Sequence, residues 1–256
     1  MSGGTRAFNK RADRMQPRQA PNRQMYPFDS HARFQSAFRT RDLTWAAQEE
    51  LSALGDARSV AKGQEAGLCS CDDSLVFVSM GACKLVARAS QGREQVISFH
   101  FPGDLVSVPS KGEHVYDLHA LTDLKLLVFP AMRFLNAICE EAGLLAELHR
   151  RSDAALRDCR DDSVGLGRKT AQERVARFLL CMADRIGRTR DGALCVELPM
   201  SRSDIADSLG LTIETVSRQF GELRAAGAIE TVGRSGVRLL DCDGLAQRAS
   251  HHLKRQ

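Results

Sequence analysis

The hydrophobic pattern of this chain changes its period at Pro130. Before Pro130, short apolar runs alternate with turn residues at about ten-residue spacing, which is typical of a β-sandwich or barrel. After Pro130, residues 131–162 contain no proline and a single glycine, and apolar residues recur at every third or fourth position. That spacing predicts one long helix. The chain is therefore predicted to be an α+β protein in which a β domain precedes a long helix.

Four apolar runs in the first half of the chain predict β-strands, because turn-forming residues separate them. A short helix is predicted just before them, over residues 43–54. The predicted strands are residues 75–78, 84–87, 94–99 and 123–129.

Charge is distributed unevenly along the chain. Arg and Lys outnumber acids by nine to two in residues 1–41 and by fifteen to eleven in residues 168–256, whereas acids outnumber them by nineteen to twelve in residues 42–167. The basic C-terminal third is consistent with a polyanionic partner. Residues 1–40 lack periodicity and predict a disordered basic arm, which either only solubilises the protein or attracts nucleic acid non-specifically.

Composition disfavours several classes of protein. The longest apolar run is the seven residues 126–132, far below the roughly 18 that span a bilayer. The first thirty residues hold no apolar core of signal-peptide length. The eight cysteines are too few and too scattered for a disulfide scaffold. We expect a cytoplasmic protein that does not associate with membranes.

The helix over residues 131–164 carries one narrow apolar seam, with charged side chains on its other face. A long helix of this kind usually pairs with a second copy of itself, which predicts a homodimer; the alternative is a helix packed on its own β domain. Gly165 and Gly167 predict a hinge after the helix. The predicted seam residues are Leu135, Ile138, Ala142, Leu145, Leu148, Ser152, Leu156 and Cys159.

Residues 165–256 predict a small domain of three helices closed by a β-hairpin. Thr170 with Glu173, and Ser201 with Asp204, have the spacing of capping boxes, so each pair predicts the start of a helix. A Gly-containing turn separates residues 229–232 from 237–240, which predicts the two strands of the hairpin.

Residues 201–227 have the pattern of a helix-turn-helix. Ala206, Gly210 and Val216 are spaced so that a small residue lets two helices touch, a glycine makes the turn and a β-branched residue fills the shared core. Three polar side chains of the second helix, over residues 212–226, would face the major groove. Glutamate accepts from cytosine N4 and arginine binds guanine bidentately, so these side chains predict base reading; the alternative is an i,i+4 surface ion pair. The predicted base-reading residues are Glu214, Ser217 and Arg218.

The order of β domain, long helix and winged helix-turn-helix resembles the Crp/Fnr family of dimeric bacterial transcription regulators. The resemblance covers roughly residues 45–245 and is strongest in residues 92–105 (GREQVISFHFPGDL) and 211–218 (LTIETVSR). The second stretch resembles the Fnr and FixK branch, which carries Glu, Ser and Arg where Glu214, Ser217 and Arg218 stand.

The resemblance implies further expectations about fold, partners and site residues. Residues 41–130 would form a β-roll sensor domain like those that bind cyclic nucleotides. The dimer would bind double-stranded DNA at a TTGAT-N4-ATCAA-like palindrome and contact RNA polymerase, activating transcription in a response to low oxygen. The family positions that touch DNA phosphate correspond to Arg202, Thr212 and Thr215.

This chain lacks the residues that bind two sensory groups found in the family, a cyclic nucleotide and an iron–sulfur cluster. After Pro102 the chain has no Arg-Ser pair to hold the phosphate of a cyclic nucleotide and no matching glutamate. An Fnr-type iron–sulfur cluster needs three clustered N-terminal cysteines, and no cysteine precedes Cys69. We therefore expect no cofactor and no metal, as in FixK-type regulators, whose activity is set largely by their amount.

Other sensory and catalytic functions stay open as alternatives. Barrels of this kind also host metal enzymes, although the His residues of 42–167 form no H-x-H or H-x-x-x-H pair beside a carboxylate. A ligand sensor or corepressor without sequence-specific DNA contact is a further alternative. The candidate sensory residues are Cys69, Cys71 and Cys83 for redox chemistry or a cluster, and His100, His114 and His119 for haem.

Overall fold

Residues 27–68, 71–88, 94–190 and 192–249 are described by the computed structural model of the chain. All four predicted strands are confirmed, and three further strands accompany them. The strands are β1 (Asp56–Val60), β2 (Ser74–Met80), β3 (Cys83–Arg88), β4 (Glu94–His100), β5 (Leu105–Val108), β6 (Val115–Ala120) and β7 (Leu124–Pro130). They form two sheets, with strand orders β1-β7-β2-β5 and β4-β3-β6, and every pairing is antiparallel.

The first sheet is buried on both faces. Successive side chains of a strand point to opposite faces, so Val76 and Val78 pack in the core between the two sheets, while Phe77 and Phe129 pack in a second core outside them. Because both faces are apolar, β2 and β7 appear in the sequence as continuous apolar runs rather than as an alternation.

Two helices near the N-terminus cover the outer face of this sheet: α1 (Pro27–Phe38) and α2 (Trp45–Leu54). The ring of Phe34 lies 5.4 Å from that of Phe77 and 5.0 Å from that of Phe129. The prediction of a disordered arm over residues 1–40 is therefore wrong for 27–38, because Phe34 and Phe38 bury two rings from one helix face. The remainder of that arm, residues 1–26, lies outside the described residues.

The predicted single helix after Pro130 is two helices, α3 (Ala131–Ala137) and α4 (Ala142–Arg168). The chain turns between them because Ile138 enters the core, where it has no exposed surface. Glu141 stabilises the turn by accepting hydrogen bonds from the backbone N–H (2.9 Å) and hydroxyl (2.5 Å) of Thr44. The prediction of one continuous helix is thus wrong at residues 138–141.

The predicted hinge at Gly165 and Gly167 is also wrong, since α4 continues through both to Arg168. A glycine inside a helix costs only about 1 kcal/mol relative to alanine, so continued packing can outweigh it. Arg174 supplies part of that packing by donating to the carbonyls of Leu166 (2.8 Å) and Leu209 (2.9 Å).

The two halves of the predicted seam have different surroundings. Ile138 is fully buried in the core of its own chain, so the seam prediction is wrong for it. Leu145 and Leu148 are half-buried and pack in part against the same cluster. Arg151 fixes this part of α4, with its guanidinium carbon 4.1 Å from the centroid of the Phe38 ring. Spacing alone could not separate contact with the own domain from contact with a partner. Of the remaining seam residues, Leu135 is half-buried, and Ala142, Ser152, Leu156 and Cys159 are exposed.

The C-terminal domain contains the predicted helices and hairpin. Both predicted capping boxes form, at Thr170 and at Ser201. Two unpredicted strands extend the hairpin to a four-stranded wing with the order β10-β11-β9-β8. The elements of the C-terminal domain are α5 (Ala171–Ile186), β8 (Arg188–Arg190), β9 (Ala193–Glu197), α6 (Arg202–Ser208), α7 (Ile213–Ala225), β10 (Ile229–Val232), β11 (Gly236–Leu239) and α8 (Cys242–Ala249).

Within the described ranges, no helix combines the length and the apolar character needed to cross a bilayer.

Candidate nucleic-acid interface

The helix-turn-helix consists of α6 and α7, joined by a tight turn at Gly210. The φ angle of Gly210 is +60°, in the left-handed region that favours glycine. A Cβ at this position would lie 3.1 Å from Cδ2 of Leu166, so the turn packs directly on the end of α4. Ala206 and Val216 are both buried. These three residues therefore have the roles that their spacing predicted.

The recognition helix α7 has one buried and one exposed face. Val216 and Phe220 are buried, whereas Glu214, Ser217 and Arg218 are exposed. Hydrogen bonds from its own backbone N–H and from the Thr212 hydroxyl hold the pKa of Glu214 below its ordinary value, so it is a carboxylate at neutral pH.

The alternative interpretation of Glu214 and Arg218 as an i,i+4 ion pair is wrong. Arg218 instead lies with its Nε 3.9 Å from an Oε1 of Glu222, a long contact between two exposed side chains. Such a contact is weak, so both Glu214 and Arg218 keep hydrogen-bonding capacity for another partner.

The three residues expected at phosphates stand at the N-terminal ends of the two helices. Thr212 caps α7 by accepting from the backbone N–H of Thr215 (3.2 Å), and the two hydroxyls are 3.1 Å apart. Arg202 begins α6 and is half-buried, with its guanidinium carbon 3.3 Å from the centroid of the Phe220 ring.

The first helix of the motif is docked on the β domain, a contact that the sequence did not indicate. Asp204 accepts a hydrogen bond from Nζ of Lys84 (2.6 Å), and Asp207 accepts from the backbone N–H of Val96 (2.8 Å). The partners lie 120 and 111 positions apart in the chain. No local pattern connects residues at such separations, so only the fold brings them together.

A second contact joins α5 to the end of β4 and to the loop that follows it. Arg185 donates to the carbonyl of Phe99 (2.7 Å), pairs with Asp104, and lies with its guanidinium carbon 4.8 Å from the centroid of the Phe101 ring. The Phe99 ring meets that of Phe178 edge-on at 6.1 Å. One buried apolar cluster therefore continues from the second sheet into the C-terminal domain.

Replacing Lys84 with methionine should destabilise the protein by about 1–3 kcal/mol, because Asp204 would keep a largely buried carboxylate without its cation. Burial by itself raises the pKa of Asp204, but hydrogen bonds from Lys84 and Ser201 outweigh burial and hold the pKa below its ordinary value of 3.8. The contribution of Lys84 is therefore present near neutral pH and is lost as the pH falls through the lowered pKa of Asp204.

Urea unfolding of the Lys84→Met variant across a pH series measures this effect. Lys62→Met is the matched control, because Lys62 is exposed and no ion pair to it is found in the described part of the chain. Equal destabilisation by both substitutions, or a Lys84 effect that does not change with pH, would contradict the assignment.

Comparison with known proteins identifies the family. A family model of the Crp-like helix-turn-helix domain matches residues 173–248. The nitrogen fixation regulation protein FixK of Bradyrhizobium diazoefficiens is 38% identical over 168 residues, which cover 66% of this chain and 70% of that protein. The chain belongs to the Crp/Fnr family. It lies in the FixK-like branch, as residues 211–218 indicated.

Two further comparisons support membership of the Crp/Fnr family. The transcriptional activatory protein AadR of Rhodopseudomonas palustris is 34% identical over 203 residues, which cover 78% of this chain and 84% of AadR. The structure of FixK2 from Bradyrhizobium japonicum is similar with a TM-score of 0.66 and 32% identity, covering 75% of this chain and 96% of FixK2. The chain is thus a transcription regulator of the Fnr/FixK type, and the alternative of a barrel-fold metal enzyme is excluded.

The candidate redox thiols of this Crp/Fnr regulator differ in their surroundings. Cys83 is fully buried, and burial raises its pKa to about 12. It is therefore a protonated core side chain at physiological pH, and its assignment as a redox thiol is wrong because reactivity requires the thiolate. Cys71 is exposed. Cys69 lies outside the described residues.

Of the three candidate haem ligands, His100 and His119 lie beside carboxylates. His100 is hydrogen-bonded to the Ser98 hydroxyl at 2.8 Å and lies 3.5 Å from Oδ2 of Asp104. His119 lies 3.8 Å from Oε1 of Glu65. The third candidate, His114, is half-buried in the loop before β6.

His119 also belongs to a cluster with metal-ligand chemistry. Ligand atoms of Glu65, Asp117 and His119 all lie within 4.8 Å of one another. Arg88 pairs with Glu65, and its Nη1 lies 3.2 Å from Oδ2 of Asp117. The single guanidinium of Arg88 thus already pairs with both carboxylates that a metal ion would need.

Proposed function

We propose that the protein binds double-stranded DNA as a homodimer at a TTGAT-N4-ATCAA-like palindrome and activates transcription through contact with RNA polymerase. We further propose that it does so without a cyclic nucleotide, an iron–sulfur cluster or a metal. The observation that carries this function is the exposed face of α7, where Glu214, Ser217 and Arg218 stand above the buried Val216 and Phe220.

The chemistry of this face fits direct base reading. The Glu214 carboxylate can accept a hydrogen bond from cytosine N4, and the Arg218 guanidinium can donate two to the O6 and N7 atoms of guanine. Ser217, exposed on the same helix, would contact the thymine side of the half-site. Thr212 and Thr215, at the start of the same helix, would contact backbone phosphates and set its register.

Pairing of two chains through α4 supports recognition of a palindrome. A helix-turn-helix dimer places its recognition helices about 34 Å apart, one turn of DNA. The exposed half of the seam contains Leu156 and Cys159, and the same spacing continues to Leu166, which contacts the turn at Gly210. Two α4 helices paired along this stretch would therefore set the separation of the two copies of α7.

The β-roll supports binding without a cyclic nucleotide. Its interior is filled with apolar side chains such as Val76, Leu118 and Leu126. In the segment that would carry the Arg-Ser pair, Ser110 donates from its backbone N–H (2.7 Å) and hydroxyl (2.8 Å) to Oδ1 of Asp73. A carboxylate in this position would repel a phosphate rather than bind it.

The names of the relatives support activation. AadR is named a transcriptional activatory protein and FixK a nitrogen fixation regulation protein. Because this protein resembles the FixK-like branch, we propose that the genes it controls belong to a low-oxygen response.

The test is an anisotropy titration with a labelled duplex containing the palindrome and a matched scrambled duplex. Protein purified without added nucleotide, with iron and zinc measured, should prefer the palindrome at 150 mM salt, by about a thousandfold or more. The affinity should not change when cyclic AMP is added. A hundredfold gain with cyclic AMP, or binding only by protein that carries stoichiometric iron, would disprove the ligand-free function. Equal affinity for both duplexes would disprove sequence-specific binding.

A further inference from the structure

An arginine–aromatic stack joins the first helix of the motif to the recognition helix. The guanidinium carbon of Arg202, at the start of α6, lies 3.3 Å from the centroid of the Phe220 ring in α7. At that distance the cation lies over the face of the ring, whose electron density attracts it. Only 4% of Phe220 is exposed, so the ring is itself held by the domain core.

The hydrogen-bonding capacity of Arg202 is not satisfied within the described residues. Its Nη1 atom is buried and has no acceptor there. Burial also holds the pKa of Arg202 below its ordinary value. Other arginines between elements are satisfied: Arg174 donates to the Leu209 carbonyl and Arg185 to that of Phe99. A buried donor without a partner costs free energy. None of the other N–H groups of the guanidinium has an acceptor among the described residues either, and because Arg202 as a whole is only half-buried, another molecule can supply one to them.

The position of Arg202 indicates which acceptor that is. The first helix of a helix-turn-helix crosses the DNA backbone, and a guanidinium can bind a phosphate with two parallel hydrogen bonds. Asp204, two residues further along α6, lies on nearly the opposite side of the helix and is neutralised by Lys84. Its charge is therefore directed at the β-roll and does not oppose a phosphate at Arg202.

We propose that Phe220 is a positioning residue for DNA binding, whose ring holds the Arg202 guanidinium in the orientation that contacts a backbone phosphate. This inference rests on the proposed function and adds to it a role for a core side chain. A stacked arginine loses less side-chain freedom on binding phosphate than one that moves freely in solvent. Phe220 thus influences the affinity for all DNA sequences alike, although it touches neither a base nor a phosphate.

A double-mutant cycle tests this role, with Arg202→Gln, Phe220→Leu and the double variant titrated at several salt concentrations against palindromic and scrambled duplexes. Leucine keeps an apolar side chain but removes the ring face. Phe220→Leu should weaken binding to both duplexes about three- to tenfold. Arg202→Gln should weaken both and lower the salt slope by about one per protomer. The double variant should bind like Arg202→Gln alone, and Phe220→Tyr, which keeps the ring face, like the wild type.

Two results would overturn the proposal. If Phe220→Leu weakens binding equally with and without Arg202, then Phe220 acts only through the packing of α7. If Arg202→Gln leaves the salt slope unchanged, then Arg202 does not contact phosphate. If the wild-type protein itself binds the palindromic and scrambled duplexes equally well, the proposed function is disproved, which is a result distinct from these two.

If the Phe220→Leu variant does not fold, the variant Arg202→Lys tests the same proposal. Arg202→Lys retains the charge but cannot stack as a plane or bind a phosphate bidentately. A several-fold loss of affinity for both duplexes with an unchanged salt slope would support the stack. Wild-type affinity of Arg202→Lys would overturn it.

Discussion

Replacing Leu156 with glutamate should convert the protein to a monomer that binds the palindrome about 100-fold or more weakly. Leu156 is an apolar side chain on the exposed half of the α4 seam, with 47% of its surface accessible in the single chain. In a two-fold dimer the substitution would bury two carboxylates beside each other, without a cation, in an apolar interface. Each half-site would then be bound separately, and the gain from linking two recognition helices would be lost.

Sedimentation velocity and a titration with the palindrome measure these two effects. Val164→Glu is the matched control: Val164 is also an exposed apolar residue of α4, but it lies off the seam, about 80° around the helix from Leu156. Leu145 is not suitable for this test, because it packs against its own chain. A Leu156→Glu dimer as stable as the wild type would disprove pairing through this half of α4.

Removing the Arg218 side chain should abolish much of the discrimination between the palindrome and other sequences. The guanidinium is exposed and only loosely held by Glu222, so it can reach the O6 and N7 atoms of a guanine. Arg218→Ala should therefore cost about 1–3 kcal/mol on the correct site and much less on a scrambled one. The consensus recovered by binding-site selection should relax at the base pair that Arg218 reads.

Arg224→Ala is the control for this prediction, because Arg224 is exposed in the last turn of α7, far from the end that enters the groove. A complementary gain of function uses the two positions where the Crp branch differs. Ile213→Arg with Ser217→Gly should shift the selected half-site toward TGTGA. If Arg218→Ala keeps the wild-type consensus and loses only affinity, the recognition helix lies on the backbone and the base-reading assignment is wrong.

The helix-turn-helix could be predicted almost completely, because its signals are local. The capping boxes at Thr170 and Ser201 involve side chains three residues apart, and the turn needs only Gly210 in the left-handed region. The exposed face of α7 follows from the helical period once Val216 is placed in the core. Site residues on one helix can therefore be grouped from the sequence.

Strand β1 could not be predicted, because its residues have no strand signal of their own. Asp56–Val60 contains charged and small residues, and only Val60 is buried. The strand forms because β7 offers its edge, pairing Asp56 with Val128 and Val60 with Leu124. Pairing with a distant strand supplies hydrogen bonds that no local window of sequence reveals.

The sequence by itself determined the order of the domains, the α+β class and the side chains on the exposed face of α7, because hydrophobic period and capping spacing act over a few residues. Only the tertiary structure decided that Ile138 and Leu145 pack on their own chain while Leu156 stays exposed. The physical reason is that apolar burial is non-directional, so an apolar stripe is equally well buried by its own domain or by a partner. The contacts of Lys84 with Asp204 and of Arg202 with Phe220 were decided in the same way, since charge and ring contacts between distant segments exist only once packing has brought those segments together.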